Sequence, residues 1–226
     1  MSISSRVGRN LAPKVTEVAP QVTATLVHQA LDRAIRGVGP LDGAALAAEK
    51  QLDEQKGDVD KGIREVIENN VRMSGVQGFL TNIGGLVTMA VMVPANVSGL
   101  ALLQCRMIAG IAHLRGYDLD DKRTRNAILA CMLGEERILS LIRKKKLAGT
   151  PMALATAPGY DPHLDTVLAN EVASELITKV AGIRIAVTVG RRIPIVGGVV
   201  GGSADAYATW RVGRYVDREL LPRNRR

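Results

Sequence analysis

The residues that could do chemistry are few and scattered. Three histidines, His28, His113 and His163, lie far apart, and none belongs to an H-x-x-x-H or H-x-x-E-H pair. A zinc site would need such ligands to converge from distant segments. His113 is the strongest candidate, because it closes an apolar helical stretch close to Tyr117 and Asp118. A helix C-terminus and a nearby carboxylate both favour a protonated imidazole. His113 and Asp118 are therefore the candidate acid–base pair, with capping and hydrogen bonding as the simpler role for His113. Asp118, Asp120 and Asp121 could be imagined as a cation site, but their position just before a helix makes N-capping the more economical reading. Ser203, in Gly202-Ser203-Ala204-Asp205, reads as a helix N-cap rather than a nucleophile. G-x-x-x-x-G-K-[ST], G-x-G-x-x-G and G-x-S-x-G are all missing, so nucleotide cradling and the nucleophile elbow lack their signatures. No cofactor or metal is expected, and the chain reads as a non-enzyme.

Composition narrows the class further. Apolar residues make up 46% of the 226, while aromatics make up only 3%, with one Phe and one Trp. The core must be built from Ala, Val, Leu, Ile and Gly, which suits close helix packing and leaves little for stacking on nucleic-acid bases. Nucleic acid is not an expected partner. The formal charge is +8, and residues 137–226 hold all of the excess, with 15 basic and 7 acidic side chains. Such a field attracts anionic lipid, nucleic acid or an acidic partner, or is simply a solvated basic face. Cys105 and Cys131 sit in apolar surroundings and suggest neither a disulfide framework nor a metal knuckle. Residues 1–14 contain Arg6, Arg9 and Lys14 but no apolar core of a secretory signal, so a cytoplasmic location, at the inner face of the cell membrane, is the expectation.

The elements that must position these residues read as helices throughout. Residues 1–15 look loosely held. A helix beginning near Thr16 places Val22, Leu26, Ala30 and Ala34 on one side and ends at Gly37, Gly39 and Pro40. Asp42 to Lys56, rich in Ala, Glu, Lys and Gln, reads as an exposed helix. A third helix starts at Asp58 as N-cap, buries Ile63, Val66, Ile67 and Val71, and is interrupted by Gly75 and Gly78. From Met73 to Cys105 there is no charged residue. Pro94 divides this run, so two helices are expected, Gly78–Met92 and Pro94–Leu114, with Pro94 at the first helical position. Helices over Asp118–Gly134 and Glu135–Leu147 follow, the second with acid at its start and Arg143 to Lys146 at its end. A loop over 149–163 leads to a long helix ending near Thr188. Ile193 to Gly202 then pairs Gly197 with Gly201 and Gly198 with Gly202 at i, i+4 spacing, which permits close approach of a neighbouring backbone. A last helix, Asp205–Leu220, mixes Tyr207, Trp210 and Tyr215 with Arg211, Arg214 and Arg218.

The fold class is thus all-α, a multi-helix bundle with a central apolar hairpin and a glycine-rich C-terminal segment. The runs Gly78-Phe79-Leu80-Thr81-Asn82-Ile83-Gly84-Gly85, Pro94-Ala95-Asn96, Ile111-Ala112-His113-Leu114-Arg115-Gly116-Tyr117-Asp118-Leu119 and Ile193-Pro194-Ile195-Val196-Gly197-Gly198 occur in this order. In these blocks the chain resembles the bacterial EcsC family over residues 61–218, with 1–60 as an N-terminal extension and 219–226 as a basic tail. The resemblance implies a helical fold near a membrane and supplies no reaction. Two further readings stand beside membrane association: a soluble scaffold or adaptor, and a hydrolase of a lipid-like substrate using His113 and Asp118. The expected contacts with an anionic membrane surface or a membrane-protein partner are Phe79, Pro94, Arg191, Arg192, Ile193, Gly197, Gly201, Trp210, Arg211 and Arg214. The oligomeric state is not legible.

Overall fold

The computed structural model describes residues 24–83, 89–189 and 194–223, with side chains described outside 75–98 and 179–205. Helix α1 covers residues 24–36. A minimal antiparallel ladder follows, β1 (Gly37–Val38) and β2 (Leu41–Asp42), with Val38 opposite Leu41. Gly37 has a φ of +90°, and an added Cβ there would lie 2.8 Å from the Gly43 amide nitrogen, so this turn requires glycine. Then come α2 (Ala44–Glu54), α3 (Val59–Ile83), α4 (Met89–Leu114), α5 (Lys122–Arg143), the short α6 (Pro151–Ala155), α7 (Pro162–Val189) and α8 (Pro194–Glu219). The fold is an all-α bundle, as its composition indicates.

Several helix ends lie where the sequence places them. The Lys61 amide donates to Asp58 Oδ1 at 3.0 Å, capping α3, and the Arg123 amide donates to Asp121 Oδ1 at 2.8 Å, capping α5. Gly134, with φ +76° and ψ 166°, breaks α5 between its two expected halves. Asp161 accepts from the amide of His163 at 2.9 Å at the start of α7.

Other boundaries move. Helix α3 runs through Gly75 and Gly78 to Ile83. An interior glycine costs about 1 kcal/mol, a penalty that packing against a long partner helix readily offsets. Pro94 does not start a helix, because α4 begins at Met89 and takes the proline into its second turn, where only the bond to the carbonyl of Ala90 is lost. The division of the hairpin falls instead on residues 84–88, outside the described residues. The rule that proline opens a helix operates at Pro151, Pro162 and Pro194. Because α8 starts at Pro194, Ser203 lies inside it and is not an N-cap. The loop over 149–163 contains α6. Helix α2 is not simply exposed: Ala44, Ala48 and Leu52 form a narrow stripe at four-residue spacing that is buried against α3 and α4.

Helix α3 runs opposite to two of its long partners. Gly62 of α3 faces Leu114, and Gly110 faces Val66, so α3 and α4 are antiparallel. On α8, Gly213 sits against Ile67, and the Thr209 hydroxyl donates to Ser74 Oγ at 3.0 Å, so α3 and α8 are antiparallel as well. The C-terminal end of α3 and the N-terminal ends of α4 and α8 therefore lie together. The opposite halves of these helices pack with α1, α2 and α5 around Met107, Ile108, Ile111, Ile128, Leu129 and Leu168.

Both cysteines lie in this core, with Cys105 Sγ 3.3 Å from Met132 Sδ. Burial pushes the Cys105 thiol up to about 12 and that of Cys131 well above its ordinary value. The native protein is expected to leave both thiols unmodified by a thiol reagent until it is unfolded; rapid modification of either in native buffer would contradict this packing. A Cβ at Gly213 would lie 2.9 Å from two carbons of Ile67. Gly213→Ala is expected to cost about 1–3 kcal/mol in urea unfolding by overpacking this contact, and an unchanged stability would show that the helices are not this close.

Candidate functional site

The block Ile111 to Leu119 forms a junction at the C-terminal end of α4. Gly116, with φ +85°, ends the helix, and the Tyr117 amide returns to the Ala112 carbonyl at 3.0 Å. Arg115 is 13% exposed and donates to Asp217 on α8 at 2.8 Å and to Asp60 on α3 at 3.1 Å. Its own carbonyl accepts from the amide of Arg223 at 2.7 Å. The Tyr117 hydroxyl donates to the Leu221 carbonyl at 3.0 Å, and the Arg223 guanidinium lies over the Tyr117 ring. Burial pushes the Tyr117 phenol up, so it remains a neutral donor.

His113 reaches across to α2, where its Nε2 lies 2.6 Å from Glu49 Oε1. Asp118 accepts from the amide of Asp120 at 2.9 Å. The two candidates line one open hollow of about 740 Å³ with Asp121 and Arg123. Arg123 is committed to Asp121, with Nη2 at 2.6 Å, and to the Ala157 carbonyl. The hydrogen bond from Arg123 holds the Asp121 carboxyl below its ordinary range against the effect of burial. The arrangement ties elements together; it holds no nucleophile beside a base. Among the described residues no group of three or more His, Cys, Asp or Glu side chains could hold a metal ion.

The other expected contact residues fall on two regions. Phe79, Pro94, Gly197 and Gly201 belong to the juxtaposed ends of α3, α4 and α8, where side chains lie outside the described set. Arg191, Arg192 and Ile193 lie outside the described residues. Trp210 and Tyr207 are exposed on α8 and stack with ring centroids 6.0 Å apart. They border a groove of about 600 Å³ against the kink of α5. Arg211 pairs there with Glu136 at 3.3 Å, and Arg214 pairs with Asp217 at 3.4 Å.

Glu49, Asp60, Asp217 and Arg223 were not among the expected site residues. Each makes its contact to the junction from a segment more than 50 positions away, and no local spacing signals such a pairing.

The EcsC protein family matches residues 1–219, and the chain belongs to this family. The match takes in residues 1–60, which the sequence reading placed ahead of the family's domain. Within that stretch Val27, Leu31, Ala48 and Leu52 share the one hydrophobic core. No curated protein and no solved structure matches the chain.

Arg115→Met is expected to lower stability by about 2–3 kcal/mol, because it removes charged hydrogen bonds from a nearly buried carboxylate. Most of the loss should reside in Asp217, since Asp60 is 71% exposed and solvent screens that pair. A denaturation midpoint unchanged from wild type would contradict the junction's structural role.

Proposed function

We propose that this EcsC family member is a non-catalytic, peripheral or monotopic membrane protein that sets one end of its helix bundle against an anionic lipid surface. The observation that carries this reading is the convergence of two charge-free runs, 73–105 and 193–204, on the same end of the bundle. Buried apolar area together with basic charge is the combination that gives reversible attachment.

Dimensions support a shallow contact. Beyond Arg72, α3 continues for residues 73–83, about 16 Å at 1.5 Å per residue, close to the depth of one leaflet. No helix among the described residues is long and apolar enough to cross a membrane. The exposed Tyr207 and Trp210 follow the charge-free run on α8, in the position of an interfacial aromatic pair. Arg191 and Arg192 precede the charge-free run 193–204 in sequence, and arginines are stable against headgroup phosphate and costly in hydrocarbon.

A soluble adaptor is the second reading, favoured by the groove beside the α5 kink, where exposed aromatics adjoin charged pairs as they do in protein interfaces. Flotation with vesicles separates the two. The protein is expected to float with anionic vesicles at low salt, less at high salt, and less again when Arg191 and Arg192 are both replaced by Ala. Folded protein that stays at the bottom of the gradient with every vesicle would sink the membrane reading and leave the adaptor.

A further inference from the structure

The chain has six aromatic side chains, one Phe, one Trp and four Tyr, and three of them, Tyr207, Trp210 and Tyr215, line the groove where α8 meets the kink of α5. Tyr207 is 61% exposed, more than any other large hydrophobic side chain among the described residues, and Trp210 is 46% exposed. Leu139, also exposed, lies one turn beyond Glu135 and Glu136 on the same side of α5. The kink that opens the groove is fixed by Gly134, whose φ of +76° and ψ of 166° are open to glycine alone. Nothing lies within 4 Å of a Cβ added there, so the turn of the backbone, and not crowding, requires glycine. Exposed aromatics grouped beside a groove mark an interaction surface, and Trp, Tyr and Arg are the side chains that dominate binding at protein interfaces.

The charges around the groove are sorted by element. Arg211, Arg214 and Arg218 come from α8, whereas Glu135 and Glu136 come from α5 and Glu175 from α7. Arg211 meets Glu136 at 3.3 Å and Arg218 meets Glu135 at 3.1 Å, and all four of these side chains are more than half exposed. Pairs so exposed contribute little to stability and exchange partners readily. One flank of the surface is therefore basic and carries the aromatics, the other is acidic, and the two balance. A purely acidic or purely basic partner would match one flank and be opposed by the other. A second copy of the same surface carries both. Turned about a two-fold axis along the groove, it lays its basic flank on the acidic flank and its acidic flank on the basic one, whereas an axis across the groove would set like on like.

We propose that two copies of this chain pair through this surface about a two-fold axis, covering Tyr207 and Trp210 and setting Arg211 and Arg218 of each copy against Glu136 and Glu135 of the other. Residues 207–218 line the groove over three turns of α8, so the axis follows that helix and both copies point the same end of the bundle in the same direction. The contact begins beyond the charge-free run 193–204. It is independent of the membrane reading, and it gives a specific occupant to the groove that favours the adaptor reading.

Sedimentation velocity of the full chain in a non-ionic detergent, which keeps the apolar end from associating, tests the pairing. The wild type is expected to sediment as a dimer. Arg211→Glu and Glu136→Arg should each weaken the dimer about tenfold or more, because each sets like charges face to face across the axis. Mixed in equal amounts, the two variants should dimerise as the wild type does, since every reversed side chain then faces an opposite charge in its partner. Within one chain each variant keeps its like-charged pair, so a purely structural role of these side chains predicts no rescue on mixing. Trp210→Ala should weaken the dimer by about the same factor while thermal unfolding stays cooperative. A wild type that is monomeric at every concentration overturns the proposal and leaves the groove to a different protein. A dimer indifferent to Trp210→Ala and to both reversals lies on another surface, and folded reversal variants that stay monomeric on mixing refute the two-fold pairing.

Discussion

Helices α3 and α8 approach closely enough that Gly213 has no room for a methyl group beside Ile67, and four residues earlier on α8 Thr209 hydrogen-bonds Ser74 across the same seam. This contact sets the register of two helices whose uncharged ends are more than 100 residues apart in the chain. A shift by one turn would move the ends by about 5.4 Å relative to each other. It would also separate Ser74 from Thr209 inside a core where neither hydroxyl has water to turn to. Small residues at the seam thus decide both how tightly the bundle closes and which segments share an end.

The opposite pole of the bundle is built from charge. Arg115 connects α3, α4 and α8, and residues 221–223 close over Tyr117. On another side Glu171 of α7 accepts from Arg137 and Lys146 of the α5 region; burial would raise its carboxyl, and these hydrogen bonds more than offset that and hold it below its ordinary 4.5. A carboxyl lowered in the folded state stabilises the fold above its unfolded value, a contribution lost as pH falls through the folded one. The pairing of Glu171 with Arg137 and Lys146 is thus an acid-sensitive clamp between α7 and the α5 region.

The sequence made much of this legible. Helical class, the cap at Asp58, a cap at Asp120 or Asp121 and the break at Gly134 follow from local rules, and in the structure Asp58, Asp121 and Gly134 hold these places. The failures have a common cause. Gly75, Gly78, Pro94 and Ser203 are residues that interrupt or cap isolated helices, yet all lie within α3, α4 or α8, where a long packed partner outweighs a local cost of about 1–3 kcal/mol. The buried stripe of α2 was hidden because Ala44 and Ala48 register as helix formers before they register as core. His113 and Asp118 are recognisable as an unusual pair, but Glu49, the group that His113 meets, lies far along the chain and outside the pattern that drew attention to them. The partners of Arg115 and the unpaired oxygens of Asn70 and Gln51 emerge only from tertiary packing.

The proposed membrane contact can be tested where it would touch lipid. An environment-sensitive dye placed through Leu80→Cys near the end of α3, or through Leu46→Cys on the exposed side of α2, can be titrated with phosphatidylglycerol vesicles, since Cys105 and Cys131 are buried and would not compete for label. Dye at position 80 should shift to the blue with saturating lipid while dye at position 46 keeps its aqueous spectrum. An unchanged spectrum at position 80, or the same shift at both positions, would contradict the assignment of that end to the membrane.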